Sequence, residues 1–354
     1  MFSLFAALAS LELILQASVR FLGLPRAVRL YDDLMTGKDT GLYMPDPDCL
    51  YRHRAGAHRD AAFVINEDGF RDSIPIKAKR SPNEIRVFVV GGSTSFDIAC
   101  TGRDAWPRRL ERLLSAAFPK RTVHVVNGGV GGYTTAESIP ALRLRGMSYR
   151  PDFVLIHHVY NDVNARCVKP GFRADYRHYR PDGWRKDDRP PALKRSILYN
   201  TLAVKLGDAR HYDSVYFMTM RDFDGAVYYG RSDEQGNLLR LRSVGTEIFE
   251  RNIGILIGIS RAGGAIPVLV TGPLRQASSW DSMTIGVREG NEALRRVADR
   301  TRTPLIDLAS GFPEDATLFH PGDPMHTNAA GSALKARRIA DGLIPLVRTL
   351  LKRR

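Results

Sequence analysis

The sequence predicts a three-layer α/β/α sandwich with a mainly parallel central sheet, spanning residue 82 to the end of the chain. Three observations carry that expectation. Apolar runs such as "VFVV" and "FVLI" are too continuous for a sheet with one wet face, so both faces are covered. These runs alternate with stretches whose apolar residues recur at helical spacing. The composition, 44% hydrophobic and 25% charged over 354 residues, suits a globular chain with one large domain.

Residues 1–24, "MFSLFAALASLELILQASVRFLGL", form the first expected element, a hydrophobic or amphipathic helix. Glu12, Gln16 and Arg20 recur every fourth residue and make one polar stripe, which suits an interfacial helix or one packed on the domain. The uncharged run ends at Leu11 and is too short to span a bilayer; accepting Glu12 extends it to about Val19. No positive charge precedes it, unlike a secretory signal. A membrane anchor and a packed helix both remain open.

Residues 25–81, with "PDPDC", "HRAGAHRD" and "NEDGFRDS", are turn-rich and read as an extended lead-in packed on the domain. The regular rhythm follows: strand "IRVFVVGG", helix "AWPRRLERLLSAAF", strand "TVHVVNGG", helix "TAESIPALRLRGM", strand "PDFVLIHHV". It breaks at about 163–245, an aromatic and basic stretch read as an insertion, a lid or binding flap. It then resumes with helix "GTEIFERNIGILIGISRAGG", strand "AIPVLVTGP", helix "GVREGNEALRRVADRT", strand "TPLIDLA" and a final helix from "AAGSALKARR".

Lys and Arg outnumber Asp and Glu by 52 to 38. The excess is spread along the chain and reads as general surface charge, with a polyanion site as the alternative; no nucleic-acid partner is expected. Cys49, Cys100 and Cys167 are far apart, so neither a disulfide framework nor a metal-ligand spacing is expected. No cofactor is called for.

In open parallel sheets, chemistry sits in the loops after the strands, and four such loops stand out. In "VFVVGGSTSFD" a strand runs into Gly91, Gly92 and Ser93. The turn has no lysine and matches neither phosphate-loop spacing, which leaves Ser93 as a nucleophile or a helix cap. "NGGVGGYT" is a glycine loop able to aim backbone N–H groups at a developing oxyanion, or simply a tight turn. In "HHVYNDV" the Asn161 amide is a donor without a proton equilibrium, or part of an Asn-Asp turn. "HPGDPMHTNAAG" places Asp323 three residues before His326, close enough for the carboxylate to orient one ring nitrogen while the other faces a nucleophile; a solvent-exposed histidine is the alternative. His320 has no acid at that spacing.

The order of these loops, strand-GGS, strand-NGGxGG, strand-xxND and a late DxxH before the last helix, resembles the four blocks of the SGNH hydrolases, the GDSL esterases and lipases, over about residues 85–347. The resemblance implies a flavodoxin-like sandwich, with Ser93 as nucleophile, Asp323 and His326 as acid and base, and Ser93, Gly132 and Asn161 as oxyanion donors. Two departures stand out: "GDS" is "GGS" here, and the glycine of "GxND" is Val159. "INEDGFRD" is similar to the lead-in of a bacterial subgroup that often carries an N-terminal hydrophobic helix.

The implied activity is hydrolysis of a carboxylic ester, an acetyl or short acyl group on a small molecule, glycan or lipid, through an acyl-enzyme. An O-acyltransferase using the same residues, or a non-catalytic glycan-binding module using the insertion from Phe172 to Trp184, are the alternatives. Membrane association at the cell envelope is the expected location, with the cytoplasm as the alternative. Oligomeric state and acyl specificity are not legible.

Overall fold

The computed structural model describes residues 2–21, 43–56, 64–71, 80–167, 170–179, 193, 196–199, 202, 234–276 and 281–353. In chain order the helices are α1 (Phe2–Phe21), α2 (Ser93–Phe96), α3 (Trp106–Ala117), α4 (Thr135–Leu144), α5 (Tyr160–Cys167), α6 (Glu234–Ser243), α7 (Glu247–Ala262), α8 (Asp281–Thr301) and α9 (Ala329–Lys352). The strands are β1 (Tyr43–Asp46), β2 (Leu50–His53), β3 (Glu84–Gly91), β4 (Thr122–Asn127), β5 (Phe153–His157), β6 (Ile266–Val270) and β7 (Leu305–Ile306).

Strands β3 to β7 form one parallel sheet in the order β4-β3-β5-β6-β7, and β1 and β2 pair antiparallel outside it. Alternation explains the continuous apolar runs. On β3, Ile85, Val87 and Val89 join a core with Trp106 and Leu110 of α3 and Ile339 and Leu343 of α9, while Phe88 and Val90 point to the opposite core. Phe153 and Leu155 against Val154 and Ile156 repeat this on β5. The second core is closed by Leu142 of α4, Val163 of α5, Ile253 and Leu256 of α7 and Leu294 of α8. Helices therefore cover both faces, and the fold is the expected α/β/α sandwich.

The chain leaves β3 for β4 on one side, then returns to β5 on the other. The crevice at the carboxyl ends of β3 and β5 is thus the topological switch point, where ligands bind in such sheets. The loops after β3, β4 and β5 all open there.

The break in rhythm after residue 163 does not mark the end of buried structure. Every residue of α5 is buried, including Asp162, Asn164 and Arg166. Arg166 donates to the carbonyls of Leu241 and Val244 and pairs with Glu289, tying α5 to α6 and α8. Of the insertion's aromatics, Tyr176 is buried and stacks edge-on with Phe172 at 6.0 Å; Trp184 lies outside the described residues.

Among the described residues no helix is long and apolar enough to cross a membrane. On α1, Gln16 donates to Glu12 at 2.7 Å, and the Glu12 carboxylate accepts from Ser196 Oγ and the N–H groups of Ile197 and Leu198, each at 2.9 Å. Leu13, Ile14 and Phe21 stay exposed.

Candidate active site

At the end of β3 the chain turns through Gly91 and Gly92 into α2, whose first residue is Ser93. No side chain fits at Gly92, because a Cβ there would lie 2.5 Å from Asn161 Nδ2 and 3.1 Å from the Tyr133 carbonyl. The glycine lets the strand end pass directly against Asn161, in the helix that follows β5. The first N–H groups of a helix lack intrahelical acceptors, and the earliest α2 bonds to Gly92 come from Ser95 and Phe96, which leaves the Ser93 N–H unused by the helix.

Ser93 Oγ is 2.8 Å from His326 Nε2, and His326 Nδ1 is 2.6 Å from Asp323 Oδ2. Asp323 Oδ1 accepts from the N–H groups of Met325 and His326 at 2.8 and 3.1 Å, so the carboxylate is fixed before it meets the ring. Burial pushes the Asp323 carboxyl up, but the His326 charge, the ring hydrogen bond and the two backbone donors outweigh it and hold it below the ordinary value. With Nδ1–H donating to Asp323, Nε2 is left to accept from Ser93, the arrangement a general base needs. Ser93 is partly exposed, whereas His326 is buried. His320 is exposed and its ring lies against the Pro321 carbonyl, outside this line.

Among the described residues two more serine–histidine pairs exist, Ser95 with His157 and Ser138 with His158, each at 2.9 Å. All four residues are at most 2% exposed, so no substrate reaches them.

Asn161 sits in the first turn of α5, and its amide donates to the Tyr133 carbonyl at 2.9 Å. The second amide hydrogen has no partner among the described residues. Gly132, next to Tyr133, has φ +77°, a left-handed conformation that suits glycine. Ser93, Asp323 and His326 are thus joined by hydrogen bonds, and Asn161 and the Gly132 loop border them through Gly92 and Tyr133. Val159, where the resemblance led one to expect glycine, is accommodated by two glycines elsewhere: Cβ atoms at Gly272 and Gly290 would lie 2.6 and 2.4 Å from its methyls.

Several supports were not evident from the sequence. Arg71, the arginine of "NEDGFRD", is fully buried and donates to the carbonyls of Phe96, Asp97 and Cys100, just behind α2. Tyr51 on β2 donates to the Gly131 carbonyl at 3.0 Å, and Tyr133 donates back to the Tyr51 carbonyl. Asp97, left-handed at φ 62°, accepts from Trp106 N–H at 2.8 Å and from the Ser332 hydroxyl, linking α2 to α3 and α9. Lys335 is buried beside it; burial lowers its pKa, opposed by the Asp97 charge. Among the described residues no group of three or more His, Cys, Asp or Glu could hold a metal.

A doubly wound sandwich with a Ser-His-Asp line at its switch point defines the class as a serine-hydrolase-like α/β protein. The chain belongs to the GDSL-like lipase/acylhydrolase family, whose model matches residues 89–334, and it is a carboxylic ester hydrolase. No curated protein matches the chain. Solved structures with a similar backbone include the lipase/acylhydrolase of Enterococcus faecalis, 15% identical with TM-score 0.45 over 74% of this chain and 96% of that one. A catalytic mutant of an acetylxylan esterase from Geobacillus stearothermophilus is 17% identical with TM-score 0.43 over 75% and 96%. An alpha/beta hydrolase enzyme from the metagenome of Lake Arreo is 18% identical with TM-score 0.44, again over 75% and 96%.

Proposed function

We propose that the protein hydrolyses a short acyl ester, on a small molecule, glycan or lipid, by a two-step acyl transfer at Ser93. The carrying observation is the 2.8 Å contact between Ser93 Oγ and His326 Nε2. His326 takes the Ser93 proton as Oγ bonds to the ester carbonyl carbon; the oxyanion is held by the Ser93 N–H, the Gly132 N–H and the Asn161 amide. Collapse breaks the bond to the alcohol, which leaves with the proton from His326. Water then gives its proton to His326, attacks the acyl-serine, and releases the carboxylic acid while the proton returns to Ser93. Asp323 keeps the ring in the right tautomer throughout and stabilises the imidazolium.

Ser93→Ala is expected to abolish hydrolysis of p-nitrophenyl acetate and labelling by a fluorophosphonate probe. Unchanged labelling would sink the assignment. The exposed Leu13, Ile14 and Phe21 of α1 support a membrane surface as partner at the cell envelope. The full chain should then sediment with lipid vesicles, and Leu13→Glu with Ile14→Glu should release it.

A further inference from the structure

We infer that Asp162 is a positioning residue for the oxyanion donors, holding the Gly132 loop in register with Asn161; this rests on the ester-hydrolase reading of Ser93, Gly132 and Asn161 above. Asp162 Oδ1 accepts from Thr135 twice, from its hydroxyl at 2.6 Å and its N–H at 3.1 Å. One residue earlier on α5, the Asn161 amide donates to Tyr133 at 2.9 Å. Two neighbouring side chains of one helix turn therefore grip both ends of the Tyr133–Thr135 stretch that follows Gly132.

The local chemistry favours this grip. Thr134 and Glu137 satisfy each other in a capping box at the start of α4, which leaves the Thr135 N–H as a first-turn donor needing an outside acceptor. Asp162 supplies it, and its charge sits well at a helix N-terminus. Asn252 of α7 donates to the Thr135 hydroxyl at 2.9 Å, so that hydroxyl is oriented with its proton toward Asp162. The carboxylate is 2% exposed, and its Oδ2 makes no hydrogen bond of good geometry among the described residues; His158 Nδ1 lies 3.6 Å away and the buried Tyr176 hydroxyl interacts with both Asp162 and Thr135. A buried charge is costly unless well paired, and its two well-formed hydrogen bonds both come from Thr135, at the end of the Gly132 loop. Donors act only when held within hydrogen-bond reach of the developing charge, and a misplacement of about 1 Å can cost about 100-fold.

The test is a mutant cycle on p-nitrophenyl acetate, with active sites counted by fluorophosphonate labelling. Asp162→Ala is expected to lower kcat by about 10- to 100-fold with KM changed by less than about threefold, in line with a lost positioning contact. Asp162→Asn, whose amide oxygen can still accept both Thr135 donors, should retain most of the rate. In an Asn161→Ala background, Asp162→Ala should cost less than about threefold, because residues that act as a unit are not additive. Equal losses in both backgrounds, or an Asn variant as poor as the Ala variant, would overturn the proposal. If Asp162→Ala does not fold, Thr135→Val against Thr135→Ser carries the same comparison: a Val loss that Ser restores supports the tether, and equal rates overturn it. Labelling that persists in Ser93→Ala would instead overturn the nucleophile reading, and with it this one; labelling lost there with additive Asp162 and Asn161 effects would overturn this one alone.

Discussion

The Arg71 guanidinium lies 4.6 Å from the centroid of the Phe96 ring and donates to the Phe96 carbonyl at 2.6 Å. One side chain from the lead-in thereby holds both the side chain and the backbone of the residue that ends α2. It adds bonds to Asp97 at 2.8 Å and Cys100 at 2.5 Å. Each such charge-assisted bond contributes about 1.5–3 kcal/mol. Arg71→Ala is therefore expected to destabilise the fold by at least about 3 kcal/mol, since it strips donors from buried carbonyls. Arg71→Lys, a single ammonium in place of a planar fork, should recover less than half of this. Chemical denaturation of the three proteins checks the order, and equal stability of the Lys variant and the parent would refute it.

Val159 and Gly290 make a second coupled pair, one whose sign is set by competing effects. Alanine in place of glycine inside α8 gains about 1 kcal/mol of helix propensity. Against that, the new Cβ would lie 2.4 Å from Val159 Cγ2. Val159 is 2% exposed and also faces Gly272, so it has nowhere to retreat, and such overpacking costs about 1–3 kcal/mol. Gly290→Ala is thus expected to be destabilising, and Val159→Ala in that background to be stabilising, with a coupling of about 1 kcal/mol or more. Strict additivity in thermal melts would show that the contact is not felt.

The strands and their order were legible because a sheet covered on both faces writes near-continuous apolar runs into Ile85–Val90 and Phe153–Ile156. Ser93, Asp323 and His326 could be singled out together because the order of the loops resembles the SGNH blocks; each loop alone left a helix cap or an exposed histidine open, and the structure joins the three by hydrogen bonds. Asp97, Asp162 and Arg71 could not, since each is buried by partners far away in the chain: Ser332, Thr135 and Cys100 respectively. Polar composition hid α5 in the same way, because Asn164 and Arg166 look like surface residues until α6 and α8 close over them. Val159 stood out as a departure, but the glycines that make room for it lie more than a hundred residues later and carry no signal of their own.

Asn161→Ala is expected to lower kcat on p-nitrophenyl acetate by about 10²- to 10³-fold, the usual cost of one oxyanion donor. It removes the bond to Tyr133 as well, so part of the loss comes from the loop. Asn161→Asp keeps the shape but cannot donate when ionised, and it should be at least as poor as the Ala variant. An Asp variant with near-parental kcat would rule out the donor role.

Acid should weaken the fold well above the carboxylate range. Burial, with help from the Arg145 and Arg71 charges, lowers the His53 pKa to about 3, and burial with the Lys335 and His158 charges lowers that of His157. In the unfolded chain both titrate near 6.5, so between that pH and the folded values the unfolded state binds protons that the folded state refuses. Stability must then decrease as pH falls below about 6.5: His53, folded at about 3, accounts for about 1.4 kcal/mol per unit and about 2 kcal/mol by pH 5, and His157 adds a loss of the same sign. Asp323 acts in a lower window. Its folded pKa is lowered, so its contribution is complete above the ordinary carboxylate value and is lost as pH falls through the folded one. Denaturation at pH 7, 6 and 5 should therefore show a loss before carboxylates titrate, and His157→Gln should make that loss smaller. Stability unchanged from pH 7 to 5 would mean that these rings are protonated in the folded protein, against their burial behind β5 and β2.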